Sequence, residues 1–383
     1  MRIVHVSDCY LPRMGGIERQ VHDLAVRQRA AGHDVEIVTS VAGGAAVTTS
    51  PIVVHRPLAQ VGEWPAVRYH SSLRGRNRVV AGGYDVIHLH ASTFSPLTFL
   101  TAEAAGRLGL PTVITVHSLW SYASPIFRLA HIPLRWRHWP LTWSAVSSVA
   151  ADPLRRLLGP ARPVAELPNG VDAAAWRIAA VPRRPERVVM VSVMRLAHRK
   201  RPRQLLEMLR QVRGLVADRI ELEAVIIGDG PLRASLQNYL GRHRMNHWVR
   251  LAGQAGHAEI REIYRDADFY IAPATLESFG IAALEARCAG LPVIAHRASG
   301  VRDFITHDNE GMLADSDRDM VSCITRLAST PAMLRRMRDN NANTKPTTSW
   351  TDVLSRCEDL YATATAAAPR RPIIDGSPSN VAS

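Results

Sequence analysis

Cysteine and lysine are both scarce in this chain of 383 residues, and their scarcity excludes several classes of protein. Four cysteines are scattered along the chain without metal-ligand spacing, at Cys9, Cys288, Cys323 and Cys357. They predict neither a disulfide framework nor a zinc module, and they indicate a reducing compartment, so we expect a cytoplasmic location. No apolar run is long and clean enough to span a bilayer. Residues 2–7 already have the pattern of a strand, so no signal peptide is expected.

The charge of the chain comes almost entirely from arginine, because Lys200 and Lys345 are its only lysines. The formal net charge is +13 at pH 7. Part of the arginine excess fits the codon usage of a GC-rich genome, but the charge attracts anionic partners all the same. Phosphates, acidic lipid head groups and nucleic acid are the candidates. Zinc-finger spacing and RNP-type aromatic strands are both missing, so we expect no nucleic acid among the partners.

Short apolar runs alternate with longer helical stretches, a pattern typical of parallel sheets built from βα units. The runs predict strands at residues 3–7, 35–38, 86–89, 112–116, 144–146, 164–167, 188–193, 222–227, 249–251, 269–272 and 293–295. A Pro- and Arg-rich stretch at 173–186 predicts a linker. We therefore expect an α/β fold of two Rossmann-like, doubly wound domains, at 1–172 and 187–346, which face a cleft where ligands bind. Residues 366–383, rich in Ala, Pro and Ser, are expected to form a disordered tail.

The most informative segment, residues 273–295, carries two carboxylates eight positions apart around a predicted helix start. The helix is predicted from Gly280 to residue 289, with Gly290 as its C-terminal cap and Pro292 forbidding its continuation. Glu277 then lies in the loop before the helix, and Glu285 lies in its second turn.

The chemistry of this helix start points to a ligand that carries both phosphate and hydroxyl groups. Free N–H groups near Phe279, Gly280 and Ile281 favour a phosphate. Glu277 and Glu285 would repel phosphate, but carboxylates accept hydrogen bonds from sugar hydroxyls. A nucleotide sugar has both kinds of group. The alternative is that the two glutamates are solvated acids near a helix end.

Two cations and two pairs of acids bear on the need for a metal. Arg195 and Lys200 follow the strand predicted at 188–193, where they could stabilise the negative charge of a departing nucleoside diphosphate; otherwise they are surface cations on a loop. The D-x-D matches at 266–268 and 315–317 fall at a helix end and in a late loop. Neither match predicts a metal site, so we expect no metal and no cofactor beyond the nucleotide sugar, which would be a substrate.

Other candidate residues follow predicted strands. Gly15 and Gly16 follow the first strand and would let backbone amides approach a phosphate or sugar closely, although turns use such pairs often. His117 ends the strand at 112–116, where an imidazole can donate a hydrogen bond to a sugar hydroxyl. Gly253 lies in a loop expected to border the nucleotide. Three further histidines are interpreted as structural or lining residues: His5, His88 and His90.

Together, the Glu277-x7-Glu285 and Arg195-x4-Lys200 motifs and the Gly15-Gly16 loop resemble the retaining glycosyltransferases of family four, which have the GT-B architecture. The resemblance covers residues 1 to about 361. It implies a last helix, at 347–365, that crosses back to the first domain. It also implies a catalytic set of His117, Glu277, Arg195 and Lys200, and a donor-binding set of Gly15, Gly16, Arg195, Lys200, Gly253, Phe279, Gly280, Ile281 and Glu285.

Within these sets the resemblance implies a role for each group. Glu277 would contact the donor sugar and Glu285 the ribose. His117 would lie near the C6 hydroxyl of the sugar. Gly15 and Gly16 would close on the diphosphate.

The resemblance further implies a metal-independent transfer that retains the anomeric configuration. Similarity to actinobacterial cell-envelope and phosphatidylinositol mannosyltransferases implies GDP-mannose as donor and a lipid-linked or cell-envelope glycan acceptor. Three alternatives are open: a UDP-sugar-dependent transferase with a small soluble acceptor, a GT-B-fold sugar-nucleotide epimerase, and a membrane-bound scaffold with a decayed site.

A segment rich in tryptophan and arginine, residues 126–143, suggests contact with an anionic membrane. Trp136, Trp139 and Trp143 mingle there with arginines, and a second basic patch lies at 68–78. We expect either peripheral binding to the inner face of the plasma membrane or packing of these tryptophans within the first domain.

Overall fold

The computed structural model describes residues 1–12, 15–42, 51–57, 65–120, 139–179, 184, 186–344, 346 and 348–369, with backbone alone for 65–69. Its strands form two parallel sheets with helices packed on them. This arrangement confirms the α/β fold of two Rossmann-like halves. Among the helices of the described ranges, none is long and apolar enough to cross a bilayer.

The first sheet has seven strands in the order β3-β2-β1-β4-β5-β6-β7. These strands are β1 Arg2–Ser7, β2 Asp34–Thr39, β3 Val53–His55, β4 Val86–Ala91, β5 Thr112–Val116, β6 Thr142–Ala145 and β7 Val164–Glu166. The helices of this half are α1 Gly16–Ala30, α2 Pro65–Ala81, α3 Pro96–Arg107 and α4 Ser148–Leu158. The strand order reverses between β1 and β4, so the loops after these two strands open the crevice where α/β sheets bind ligands.

The second sheet has six strands in the order β10-β9-β8-β11-β12-β13. They are β8 Arg187–Val193, β9 Glu221–Ile227, β10 Val249–Gly253, β11 Phe269–Ala272, β12 Val293–His296 and β13 Gly311–Ala314. The segment predicted as a linker begins with the short helix α5 Ala173–Trp176. The helices of the second half are α6 Pro202–Leu215, α7 Arg233–Arg242, α8 His257–Asp266, α9 Ile281–Cys288, α10 Asp317–Ser329 and α11 Pro331–Asn343. Here the order reverses between β8 and β11. The candidate cations follow β8 and the candidate glutamates follow β11, so both sets meet at this reversal.

The last helix, α12 Trp350–Ala367, packs on the first sheet. It begins with a capping box in which Ser349 and Asp352 exchange hydrogen bonds between side chain and backbone. Its buried side chains, Tyr361 among them, share a core cluster with Ile3 and Val86 of the first sheet. The chain therefore returns to its first half after completing the second. The predicted tail at 366–383 begins inside this helix, and from residue 370 onward it lies outside the described residues.

The apolar runs predicted the strands of both sheets except β3 and β13. Strand β3 has three residues and is partly exposed, so it has no apolar run to detect. Strand β13 starts at Gly311, where a Cβ would overlap with the carbonyl oxygen of Val293. Glycine is poor in strands by propensity, and here it is present because two backbones approach closely.

Candidate active site between the two sheets

The start of α9 is an uncapped helix end held open by a glycine. Gly280 has φ +96, and no side chain caps the helix. A Cβ at this position would also lie 2.6 Å from Cγ2 of Val301, so a larger residue does not fit. Within the described ranges, the N–H groups of Phe279, Gly280 and Ile281 donate no hydrogen bond. They are free to bind an anion such as phosphate.

Lys200 and Glu277 form an ion pair beside this helix start. Glu277 is partly buried in the loop between β11 and α9, and Lys200 ends a short 3-10 helix after β8. Arg195 lies on the same loop as Lys200, is exposed, and makes no side-chain hydrogen bond or ion pair to any residue that the structure describes. Glu277 therefore holds Lys200 beside the helix start, whereas Arg195 has no such partner among the described residues.

The turn that carries Lys200 is fixed by its neighbour Arg201. Arg201 adopts the left-handed conformation, with φ +58. Its guanidinium donates to the carbonyl of Pro273 at 3.1 Å and to both carboxylate oxygens of Asp317 at 2.9 and 2.6 Å. Because Pro273 follows β11 directly, this clamp joins the loop after β8 to the loop after β11. Nothing in the sequence indicated this role for Arg201.

Glu285 lies one turn into α9, and burial raises its pKa to about 7. Arg19 in α1 opposes that shift, so a residue of the first half acts on a carboxyl of the second. The ring of His257 lies 3.9 Å from the Glu285 carboxylate. A carboxyl with this pKa can accept hydrogen bonds from hydroxyl groups once it is ionised.

The glycine loop of the first half meets the start of α9. A Cβ on Gly16 would lie 3.1 Å from Cδ1 of Ile281, and one on Gly15 would overlap with a carboxylate oxygen of Glu18. Gly15 caps α1 in an extended conformation that any residue can adopt. A glycine is needed there because the Glu18 side chain occupies the space of a Cβ. The predicted Gly15-Gly16 loop and the predicted anion-binding helix end are therefore adjacent.

Hydrogen bonds between the two halves hold the Glu277 loop in place. The Ser147 hydroxyl donates to the carbonyl of Ser278 at 2.5 Å. The N–H and the hydroxyl of Ser148 donate to the Asp303 carboxylate at 2.7 and 2.6 Å. These contacts begin at the N-terminus of α4, and no motif in the sequence signalled them.

His117 lies just past β5, where its backbone N–H donates to the Ala91 carbonyl at 2.9 Å. Its Nε2 lies 3.0 Å from Nδ1 of His90, and burial lowers the pKa of His117 to about 4. The ring also lines a small cavity of about 20 Å³ together with Asn169 and Trp350. A neutral imidazole in this setting can exchange hydrogen bonds with a ligand but carries no charge at pH 7.

The structure brings together Lys200, Glu277, the start of α9 and Gly16. Arg195, His117 and Gly253 form no hydrogen bond or ion pair with that group in the described part of the chain. Gly253 ends β10 with φ +82, and its carbonyl accepts from the N–H of Gly228 at 2.7 Å. It therefore shapes the loop after β9, at the carboxyl edge of the second sheet.

The acids of the two D-x-D matches have structural partners. Asp268 is buried and accepts from the backbone N–H of Val189 at 2.8 Å. Asp317 is held by Arg201, which keeps the pKa of that carboxyl below its usual value. Both carboxylates are thus engaged in joining elements of the second half.

The membrane interpretation is wrong for Trp139 and Trp143, which pack within the first half as the alternative predicted. Trp139 and Trp143 are 8% and 1% exposed and belong to the core of the first half, so their side chains cannot meet lipid. Trp136 and the rest of the segment at 121–138 lie outside the described residues. In the basic patch, Arg78 lies 3.8 Å from Glu36, while Arg74 is exposed.

Two doubly wound sheets, with a C-terminal helix that crosses back to the first of them, have the GT-B architecture. Residues 14–175 match the family model "Glycosyltransferase Family 4", and residues 176–344 match "Glycosyl transferases group 1". The chain belongs to glycosyltransferase family 4, as the sequence motifs indicated.

Proteins similar to this chain include a glycosyltransferase subunit and a glycogen synthase. A phosphatidylinositol N-acetylglucosaminyltransferase subunit of Arabidopsis thaliana is 27% identical over 377 residues, which are 94% of this chain and 81% of that protein. The glycogen synthase of Mycobacterium tuberculosis is 25% identical over 423 residues, covering 98% of this chain and 99% of the enzyme. Anabaena Alr3699/HepE, solved with UDP and glucose, shares the fold at a TM-score of 0.75 and 18% identity, over 95% of this chain and 100% of HepE.

Proposed function

We propose that this glycosyltransferase transfers a sugar from a nucleotide sugar to a phosphatidylinositol-type lipid, with retention of configuration and without a metal. The observation that carries the proposal is the Lys200–Glu277 pair beside the free N–H groups at the start of α9. That arrangement offers cations and amides to a diphosphate and a carboxylate to the sugar attached to it.

The proposed reaction follows from this arrangement. The bond between the anomeric carbon and the diphosphate oxygen breaks, and negative charge builds on the departing diphosphate. Arg195, Lys200 and the amides at Gly280 stabilise that charge. The acceptor hydroxyl attacks from the same face, and its proton passes to a phosphate oxygen of the leaving group. Glu277 orients the sugar ring, and Glu285 binds the ribose.

Metal independence rests on the supply of charge by the protein itself. Arg195 and Lys200 provide two cations at the diphosphate position, and the D-x-D acids are engaged elsewhere. We expect EDTA to leave turnover unchanged, and abolition of turnover by EDTA would contradict this part of the proposal.

The acceptor and donor are drawn from relatives and from the motifs. Relatives from Arabidopsis thaliana, Schizosaccharomyces pombe and Homo sapiens are named as phosphatidylinositol N-acetylglucosaminyltransferase subunits, which favours phosphatidylinositol as acceptor. The resemblance to actinobacterial enzymes favours mannose from GDP-mannose. The names of these relatives favour N-acetylglucosamine as a second candidate. Action on a lipid implies that the enzyme works at a membrane surface, on its cytoplasmic side.

A donor and acceptor matrix tests the proposal. The protein is incubated with GDP-mannose, UDP-N-acetylglucosamine or UDP-glucose, each with phosphatidylinositol liposomes, with a maltooligosaccharide or without acceptor, and products are identified by mass spectrometry. We expect a glycosylated lipid with one of the first two donors, and none from the Glu277→Gln variant. A product on the oligosaccharide alone would contradict the lipid acceptor, and isomerised donor without acceptor would indicate an epimerase.

A further inference from the structure

Four histidines form a buried row in the first half of the chain. His5 in β1 faces His88 in the parallel register of β4, His90 lies two residues further on the same face, and His117 follows β5. His5 and His88 are fully buried, His90 is 3% exposed and His117 is 8% exposed. His117 is therefore the most exposed ring of the row, and it lines a small cavity.

Each ring in this row is neutral at pH 7 because burial opposes its protonation. Burial lowers the pKa of His5 and His117 to about 4, and it lowers the pKa of His88 and His90 well below the usual value. A neutral imidazole has one N–H donor and one nitrogen lone pair, so a hydrogen bond at one nitrogen fixes the role of the other.

The direction of the hydrogen bonds is set at Gln28 in α1. The amide oxygen of Gln28 can only accept, so Nε2 of His5, 2.6 Å away, must carry the proton. Nδ1 of His5 then accepts from Nε2 of His90 at 2.9 Å. Nδ1 of His90 in turn accepts from Nε2 of His117 at 3.0 Å. His117 is left with a lone pair on Nδ1.

A second series of hydrogen bonds, which starts at the Ile114 carbonyl in the first sheet, gives the same orientation of the Gln28 amide. Ser144 donates to the Ile114 carbonyl at 3.3 Å, so its hydroxyl accepts from Thr115 at 2.8 Å. Thr115 then accepts from Nε2 of His88 at 2.8 Å. Nδ1 of His88 must accept from the Tyr361 hydroxyl at 2.8 Å.

Gln28 joins the two series. Its amide nitrogen donates to the Tyr361 hydroxyl at 2.8 Å, which leaves the amide oxygen facing His5. Two carbonyl groups far apart in sequence, those of Gln28 and Ile114, therefore impose one consistent direction on the whole chain of hydrogen bonds.

We infer that Gln28 is a positioning residue for His117, holding it in the Nε2–H tautomer so that Nδ1 accepts a hydrogen bond from a substrate hydroxyl. The hydroxyl is that of the sugar substrate, so this part rests on the proposed function. The inference reverses the donor role that the sequence suggested for this imidazole. Among the described residues, Nδ1 of His117 has no hydrogen-bond partner.

The same rings could be read as a metal site, because His5, His88 and His90 hold ligand atoms within 4.8 Å of one another. However, both nitrogens of each ring already take part in hydrogen bonds. A metal ion would displace several of these bonds and leave buried partners such as the Gln28 amide unsatisfied. The hydrogen-bonded row is therefore the arrangement that these residues favour.

The first test is the tautomer itself, measured on the full chain without any substrate. Nitrogen-15 NMR on protein labelled at histidine, with His117 assigned by the His117→Asn variant, should show a protonated Nε2 and an unprotonated Nδ1 at neutral pH. A protonated Nδ1 at His117 would overturn the inference, and so would one equivalent of zinc bound by the purified protein. Because no turnover is needed, this result stands or falls separately from the proposed function.

The second test compares two replacements of Gln28. Glutamate keeps an oxygen that accepts from His5, whereas leucine removes it. We expect Gln28→Leu to show both tautomers at His117 and about tenfold lower kcat, the worth of roughly one hydrogen bond, with unchanged affinity for the nucleoside diphosphate. Gln28→Glu should keep the wild-type tautomer and recover most of kcat. If folded Gln28→Leu keeps the Nε2–H tautomer at His117, the role of Gln28 is overturned. If Gln28→Leu does not fold, loss of that tautomer in folded Gln28→Glu would overturn it instead.

Discussion

Replacing Lys200 by methionine should weaken the binding of a nucleoside diphosphate. The substitution removes the partner of Glu277 and leaves that carboxylate unpaired beside the diphosphate position. A hydrogen bond to a charged group contributes about 1.5–3 kcal/mol. The Lys200 side chain is 35% exposed, so we take the lower end, about 1.5–2 kcal/mol, or a roughly 10–30-fold rise in Kd.

The Glu277→Gln variant should have effects of opposite sign on binding and on turnover. A free nucleoside diphosphate has no sugar for Glu277 to bind, and the neutral amide no longer competes for Lys200. Its Kd should therefore stay the same or fall. Turnover should drop at least tenfold, about 1.4 kcal/mol in the barrier, because the sugar loses its carboxylate.

Calorimetric titration of both variants with GDP and UDP at low salt measures these changes. Lys345→Met, the same substitution at the other lysine of the chain, is the matched control. In the double variant Lys200→Met/Glu277→Gln, part of the affinity should return, because the unpaired carboxylate is gone. The reasoning is refuted if Lys200→Met binds within twofold of wild type, or if Glu277→Gln weakens binding as much as Lys200→Met does.

Three further predictions concern Glu285, Gly280 and the contact between the two halves. Burial raises the pKa of Glu285 from 4.5 to about 7 in the folded state. The free energy of unfolding, measured by urea denaturation relative to Glu285→Gln, should therefore fall by up to ~1.4 kcal/mol per pH unit as the pH rises between these two values. A difference between the two proteins that does not vary with pH would contradict this prediction. Gly280→Ala should cost about 1–3 kcal/mol of stability because of its positive φ and the close Val301 methyl. The control Gly214→Ala lies in α6 with open space around it and should not lower stability. Equal melting temperatures of the two variants would argue against the strain. Asp303→Ala removes two hydrogen bonds from Ser148, which should lower the stability of the contact between the halves by about 1–2 kcal/mol. The radius of gyration measured by small-angle scattering should then rise. An unchanged scattering profile would show that other contacts hold the halves together.

Features that depend on local sequence were predictable. Strands such as β4, β5 and β12 are buried on both faces, so they appear as apolar runs. The glycines and the proline around α9 mark its limits. Gly280 lies at the predicted helix start, and the structure shows that its positive φ favours a residue without Cβ there. Glu277 and Lys200 were both identified as site residues from their positions after strands.

Features that depend on long-range contacts were not predictable. Lys200 and Glu277 are 77 residues apart, and nothing in either motif indicates that they neutralise each other. Ser147 reaches the Ser278 carbonyl across 131 residues through an unremarkable hydroxyl. The histidine row was partly visible in the sequence, because the alternation of side chains along a strand puts His88 and His90 on one face. Pairing them with His5 required the register of β1 with β4, which only the structure shows.

The path of α12 has a consequence for how the chain matures during synthesis. Tyr361 and its neighbours are synthesised after the whole second half, yet they complete the hydrophobic core built on residues as early as Ile3. The first half of the chain therefore keeps an apolar face exposed until the second half and α12 have been synthesised. A polypeptide that stops before Trp350 would keep that face exposed and would also lack the phenol that joins Gln28 to His88.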